Sequence, residues 1–467
     1  RHLELYYGIA GIGAVCHTIN PRLSSEQMIY IVNHAEDKVI FVDLTFVPIL
    51  AALNDHLPKD LIYVAMTDRK HMPDTDIVNL LCYEDLMEVE TTDFDWPEFD
   101  ENTACGLCYT SGTTGNPKGA LYSHRSTVLH AMMGVISLQT CLRPGKRILP
   151  VVPLFHVNAW GLPYAAPLSG ASLIFPGAAL DGPSLHKLME DERVFSAWGV
   201  PTVWMGLLSE IKAKGGKPSS FKEVIIGGSA APRPMIEAFE NMDVSVAHAW
   251  GMTEMSPIGT VGVLNLEQEN LPLSERIDLK AKQGRRVFGV DLKIVDEDGN
   301  RMPHDGVAQG ELYVRGNAVV SAYFKNEEAS KTSIDADGWF GTGDVAKIEP
   351  NGMLTITDRA KDLIKSGGEW ISSIDVENMA MAHESVANCA VIAIPDPKWD
   401  ERPLLIVVPA QGADRDAISI LESLSKSLAK WQLPDAVIFV DELPLTATGK
   451  VSKLTLRQRH NDGTLSA

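Results

Sequence analysis

A chain of 467 residues, 45% hydrophobic and 22% charged, is too long for one ordinary core and predicts two or more folded domains with room for a buried site; this balance excludes bulk disorder, a collagen repeat and a small disulfide scaffold. Its 41 Lys and Arg against 61 Asp and Glu leave a net charge of −20, which works against loose attraction to nucleic acid or anionic lipid, so an anionic ligand needs a local basic pocket. Six cysteines, spread from Cys16 to Cys389, form no secreted framework and point to a reducing, cytoplasmic location.

In chain order, RHLELYYGIAGIGAV lacks the ordered regions of a signal peptide; it opens without Met, and the expectation is that an N-terminal piece of the natural chain precedes it. PRLSSEQMIYIVNHAED predicts a helix opened by a Ser cap, and KVIFVDL and LIYVAM predict buried strands. ACGLCYT predicts a strand, in which Cys105 and Cys108 point to opposite faces; with no second Cys pair or His pair, no structural metal is expected. From Leu149 to Leu180 there is no Asp, Glu, Lys or Arg, a length that could span a bilayer. Pro150, Pro153, Pro163, Pro167 and Pro176 interrupt any continuous helix, so a buried pocket wall is expected and no transmembrane segment. SLHKLMEDER, KEVIIGG and PMIEAFENM continue the alternation of helix and strand that marks a doubly wound α/β sheet. After about residue 284 short strands with Asp-Gly and Asn-Gly turns predict a β-rich subdomain, and beyond Asp358 a helix near DVENMAMA, strands NCAVIAIP and LLIVVPA, and a helix near DAISILESLSKSLAK predict a compact α+β unit. No repeat, low-complexity tract or heptad run supports a scaffold.

The chemistry concentrates in YTSGTTGNPKGA, residues 109–120. Gly112, Gly115 and Gly119 let backbone N–H groups turn inward, Thr110, Ser111, Thr113 and Thr114 add hydroxyl donors, and Lys118 adds a compact charge, a set suited to a polyphosphate. A Walker loop is excluded, because Pro117 precedes Lys118 and Gly119 follows it. GTGDVA at 341–346 follows DADGWF, a turn rather than a buried strand, and makes a weak dinucleotide fingerprint.

With HAWGMTE at 248–254, GWFGTGD at 338–344, DRAKDLIKSGGEWIS at 358–372 and PLTATGK at 444–450, that loop resembles the motif set of the adenylate-forming superfamily of acyl-CoA synthetases, in the family's order and over most of the chain. KSGGEWISS and FHVNAW resemble its fatty acyl-CoA synthetase branch, while Gly341 stands where related sequences often carry another residue. The resemblance implies a large α/β N-terminal part, residues 1–357, and a small mobile α+β domain, residues 358–467. It implies that a small carboxylic acid and ATP give acyl-AMP and pyrophosphate with Mg2+, and that coenzyme A then displaces AMP. It also implies residue roles. Glu254 and Thr110 match the metal side, and Thr253 the acyl phosphate contact. Lys450 matches the lysine swung toward the reacting carboxylate and α-phosphate, Asp344 and Arg359 the ribose contacts, and Trp250 offers a flat face to adenine. Gly228, Ser229, Ala230, His248, Ala249 and Gly251 match positions lining the nucleotide. Lys361 matches the hinge, Lys365 and Trp370 approach the nucleotide in the closed form, and Gly367, Gly368 and Glu369 lie on the pantetheine side. The resemblance further allows a homodimer.

The uncharged stretch lies where the family builds its acyl pocket, with His156, Val157 and Trp160 as its residues and core packing as the alternative role for Trp160. A fatty (medium- or long-chain) acid is the expected substrate, with a short thioether acid such as methylmercaptopropionate as the close alternative. A luciferase-like oxidoreductase, a carrier-loading adenylation domain and a catalytically silent nucleotide sensor are the other classes. Only 17 residues follow Lys450, which leaves no attached carrier domain expected, and Glu254, Asp344 and Lys450 speak against a silent sensor.

Overall fold

The computed structural model describes residues 1–110, 116–446 and 449–465. The first helix expected from the sequence runs Ser25–Ala35; the Ser24 hydroxyl accepts from Gln27 N–H, the Gln27 side chain returns the bond, and Glu36 closes the helix in the left-handed region. Met28, Ile31 and Val32 form its buried face, packed on a three-stranded parallel sheet in the order Val39–Val42, Ile62–Ala65, Leu81–Cys82. Val39–Val42 is less buried than its apolar run predicts, because it is the edge strand of that sheet and Val39 is exposed.

The largest sheet has eleven strands among the described residues. At one end Ser172–Leu173, Arg147–Pro150, Ser196–Gly199, Glu223–Ile226 and Ser245–Gly251 run parallel. Ser196–Gly199 and Glu223–Ile226 are buried throughout, and the helices Gly182–Asp191 and Pro201–Lys214 pack together beside them. That helix contact is close: a Cβ at Gly182 would stand 2.3 Å from the Gly206 carbonyl oxygen, so Gly182 has no room for a side chain. The strands sequence reasoning assigned to a β-rich subdomain continue this same sheet as antiparallel neighbours, joined through Ser245–Gly251. This strand pairs in parallel through His248 and antiparallel from Ala249 onward, so the sheet changes character at the motif HAWG. A switch point at strand C-termini is where open α/β sheets leave a crevice.

The uncharged stretch is broken into short pieces, although Pro167 lies inside a helix, and it is a buried wall only as far as Ala166, since Leu168 and Phe175 are exposed. Arg147–Pro150 ends in a loop, Val157, Ala159 and Trp160 are buried, and the helix Leu162–Ser169 lies between Gly161 and Gly170, both at positive φ. Among the described residues no helix is long and apolar enough to cross a membrane. GTGDVA lies inside the long strand Phe340–Ile348, not at a strand-to-helix turn.

Beyond Arg359 the chain builds a separate five-stranded sheet, with the hairpin Ile364–Ser366 and Glu369–Ile371, the long pair Val386–Asp396 and Asp400–Pro409, and Ala436–Phe439. Its own core gathers Ile364, Val376, Val391, Leu405 and Ile420. The helix expected near DAISILESLSKSLAK is Ala417–Ser425 only, because the Ser425 hydroxyl bonds back to Glu422 O and the chain turns at Lys426. Asp358 ties this unit to the large sheet: its Oδ2 accepts from both Ser373 N–H and Ser373 Oγ–H, at 2.6 and 2.7 Å.

Candidate active site

Two hairpins bring distant motifs together. Ala104–Tyr109 and Gly119–Ser123 pair antiparallel, and Thr110 N–H donates to Lys118 O at 2.9 Å, closing the base of the glycine loop. Ser111, Gly112, Thr113, Thr114 and Gly115 lie outside the described residues. In the second hairpin Phe340–Ile348 pairs with Met353–Arg359 so that Asp344 stands opposite Arg359. The two predicted ribose residues are therefore cross-strand neighbours, and Arg359 Nε meets Asp344 Oδ1 at 2.8 Å.

Asp344 is buried, and its other oxygen accepts from the Trp250 indole N–H at 2.9 Å. Burial raises the Asp344 carboxyl pKa, opposed by the Arg359 guanidinium and the Trp250 N–H. Trp250 thus does more than offer a face. One side of its ring lies on Gly259, where a Cβ would stand 2.7 Å from the ring, and its N–H fixes the carboxylate.

His248, at the sheet's change of character, is buried and neutral: burial pulls its pKa down to about 4. Its Nδ1–H donates to Ala281 O and its Nε2 accepts from Ala231 N–H, an assignment fixed by those partners. It thereby braces the turn that carries Gly228, Ser229 and Ala230, of which Gly228 and Ser229 are exposed. Ala249 and Gly251 continue the strand, and Gly251 is held by close approach, since a Cβ there would stand 1.9 Å from Pro257 O. Next come Thr253, whose carbonyl accepts from the Tyr122 hydroxyl at 2.6 Å, and Glu254.

Glu254 is buried, which raises its pKa; the Tyr323 hydroxyl donates to its Oε1 at 2.6 Å and favours the anion. The Lys118 ammonium lies 5.0 Å over the Tyr323 ring, so one tyrosine links the glycine loop's lysine to the carboxylate. Sequence reasoning missed Tyr323, which lies in the two-residue strand Tyr323–Phe324 paired to Gly119 and Ala120; nothing in its local pattern marks it. Among the described residues no group of three or more His, Cys, Asp or Glu could hold a metal ion. The buried Glu254 carboxylate near Lys118 does fit Mg2+, which binds through one or two carboxylates and the phosphates of its substrate.

Lys450 reaches this cluster from the far end of the chain. A Cβ on Gly228 would stand 3.3 Å from Lys450 Cε, and the Thr202 hydroxyl donates to Gly449 O at 3.0 Å. Burial and the Arg359 guanidinium pull the Lys450 pKa down to about 8, against the opposing charge of Asp344. Burial and Lys450 together push His156 down to about 3, so His156 is a neutral neighbour of the lysine.

Val157, Asn158, Ala159 and Trp160 all lie at positive φ, a left-handed turn closed by Gly161 that costs about 1–2 kcal/mol per residue. Buried contacts hold it: Trp160 packs against Gly227, and Asn158 Oδ1 accepts from the Thr18 hydroxyl. The structure does not bring every predicted residue to this cluster. Lys365 and Trp370 face each other across the small unit's hairpin, with the ammonium 5.7 Å over the indole. Gly367 and Gly368 form its turn at positive φ before the exposed Glu369, and Lys361 lies between the two units with its pKa lowered by burial.

The chain matches the family model of the AMP-binding enzyme over residues 1–324 and that of the AMP-binding enzyme C-terminal domain over residues 375–450. It is 51% identical to the 3-methylmercaptopropionyl-CoA ligase of Ruegeria lacuscaerulensis over 463 residues, 99% of this chain and 85% of that protein. It is 50% identical to the medium-chain-fatty-acid–CoA ligase of Ectopseudomonas oleovorans, covering 99% of this chain and 84% of that protein. The fold matches the crystal structure of the anthranilate CoA ligase AuaEII in complex with anthranoyl-AMP, with a TM-score of 0.88 at 26% identity over 98% of this chain and 85% of that one. An arginine-braced carboxylate, a second carboxylate beside the glycine loop and a lysine delivered from the small C-terminal unit fit those relationships, and the chain belongs to the AMP-binding enzyme family as an AMP-forming acid:CoA ligase.

Proposed function

We propose that the enzyme activates a fatty or related aliphatic acid, with a medium-chain fatty acid and a short thioether acid of the 3-methylmercaptopropionate type as the nearest substrates. The observation that carries the chemistry is the convergence of Lys450 on Asp344, Arg359 and Gly228, since fixed charge of both signs gathered there suits a nucleotide's ribose and α-phosphate meeting an acid. The aliphatic reading is supported by the uncharged, mostly buried run from Leu149 to Ala166 and by the names of the relatives.

In the first half-reaction an acid oxygen attacks the α-phosphorus; that bond forms, the bond to the β-phosphate bridge breaks, and pyrophosphate leaves. The attack opposes like charges, so the protein's part is to hold cations where charge moves. Lys450 neutralises the α-phosphate and the incoming carboxylate, Lys118 the leaving phosphates, Asp344 and Arg359 hold the ribose, and Thr253 contacts the acyl phosphate. The lining positions Gly228, Ser229, Ala230, His248, Ala249 and Gly251 set the nucleotide's place. Glu254 and Thr110 would hold Mg2+, which would supply further charge neutralisation on the phosphates. In the second half-reaction the coenzyme A thiolate attacks the acyl carbon and AMP leaves.

Residues 1–357 and 358–467 act as two bodies in this reading, turning about Lys361 so that Lys450 withdraws and the hairpin with Lys365, Gly367, Gly368, Glu369 and Trp370 takes its place on the pantetheine side. The neutral His156, with Val157 and Trp160, forms the acyl end and excludes water from the adenylate. A cytoplasmic location and a homodimer belong to the same reading. The test is ATP–pyrophosphate exchange with acids from acetate to octadecanoate and with thioether acids, followed by thioester formation on addition of coenzyme A. Exchange and thioester with aliphatic acids are expected; exchange only with aromatic acids, or none with any acid, would overturn it.

A further inference from the structure

Lys450 sits on a turn that is closed within itself. Thr446 N–H donates to Lys450 O, Gly449 N–H donates to Thr446 O at 2.9 Å, and Leu445 bridges Val451. Gly449, at φ +82°, turns its carbonyl to the large domain, where the Thr202 hydroxyl donates to it at 3.0 Å across 247 residues of sequence. Thr202 is the second residue of the helix Pro201–Lys214, and its hydroxyl is not engaged at its own helix end, where Val200 is the cap and no side chain caps. The platform is rigid, because Trp204, two residues on, is fully buried and donates its indole N–H to Gly199 O at the end of the neighbouring strand. Val200 and Gly228 complete the socket: a Cβ on Gly228 would stand 3.1 Å from Val200 Cγ1 and 3.3 Å from Lys450 Cε, so Val200 and the lysine stem both lie against Gly228.

We infer that Thr202 is the positioning residue that docks the Lys450 turn, its bond to the Gly449 carbonyl populating the arrangement in which Lys450 serves acyl-adenylate formation. This rests on the reading of Lys450 given above and adds the large-domain group that selects its place. A single hydrogen bond between two bodies acts as a population weight, and it acts only on the half-reaction that uses the docked state.

The test is Thr202→Val, which keeps the shape and removes the hydroxyl, with Thr202→Ser restoring it. ATP–pyrophosphate exchange is expected to lose about threefold to tenfold in kcat, the effect of one net hydrogen bond, with KM for ATP and the melting temperature unchanged. The rate of thioester formation from supplied acyl-AMP and coenzyme A should not fall, and Thr202→Ser should recover exchange. In a Lys450→Ala background Thr202→Val should cause no further loss. An unchanged exchange rate, equal loss in both half-reactions, failure of Thr202→Ser to restore exchange, or the same loss in the Lys450→Ala background would overturn the docking role. If Lys450→Ala by itself leaves exchange intact, the reading of Lys450 falls and the docking role with it.

Discussion

The large domain's floor and the small domain's arm are built on opposite principles. On the floor the functional groups are braced within the domain: Asp344 by Arg359 and Trp250, His248 by Ala231 and Ala281, and Glu254 by Tyr323, itself beneath Lys118. On the arm, Lys450 lies on a self-closed turn whose Gly449 carbonyl accepts a hydrogen bond from Thr202 of the large domain. On the proposed function, the contrast is between a preorganised nucleotide site and a cation that can be withdrawn. Connection sets the difference, since the floor's groups are held within one sheet while the Lys450 turn belongs to the small unit and meets the floor only across the gap between units.

The sharpest way to break this comparison is Lys450→Ala. Adenylation measured by pyrophosphate exchange should fall about a hundredfold to a thousandfold, the range for losing one preorganised electrostatic group, while thioester formation from supplied acyl-AMP stays near wild type. Equal loss in both would place the lysine on the floor.

Asp344→Asn should act on the opposite side. It strips the charge from a buried carboxylate and leaves Arg359 without its counter-ion, so kcat/KM for ATP should fall about tenfold or more, and stability by about 1–3 kcal/mol once the exposure of Arg359 is discounted. Steady-state kinetics and urea melts measure both, and a change confined to the acid's KM would refute the ribose assignment. A smaller loss is expected for Tyr323→Phe, which keeps the ring under Lys118 and removes the donor to Glu254. Stability should drop by about 1.5–3 kcal/mol, the value of a hydrogen bond to a buried charged group, and a melt that does not move would show that Glu254 is already satisfied elsewhere.

The mildest perturbation is pH. Lys450 has its pKa lowered to about 8, so below that pH the ammonium is present and above it the charge is lost. kcat/KM for adenylation should therefore decline by one proton as pH rises through about 8, while Lys450→Arg, if active, should lose that limb. A decline of the same midpoint in thioester formation from acyl-AMP would assign the limb to another group.

Much of this was legible because it is local. The Ser24 cap and the alternation of strand and helix depend on residues a few positions apart, and the structure keeps them. Two local readings shifted for a non-local reason. Val39–Val42 is an edge strand, and the β-rich segment extends the main sheet, since strand neighbours are chosen by the whole sheet and not by the run itself.

The sequence by itself determined the chemistry available: a polyphosphate loop with its lysine, two acidic motifs, a terminal Gly-Lys pair and an uncharged wall, all as motifs that short-range pattern can carry. Only the tertiary structure decided which groups meet. It set Asp344 opposite Arg359 through hairpin register, brought Tyr323 to Glu254, braced His248 as a neutral imidazole, and gave the carbonyl before Lys450 to Thr202. Those pairings depend on register and burial across long sequence separations, where one residue of slip or a missing partner changes the answer and local composition records neither.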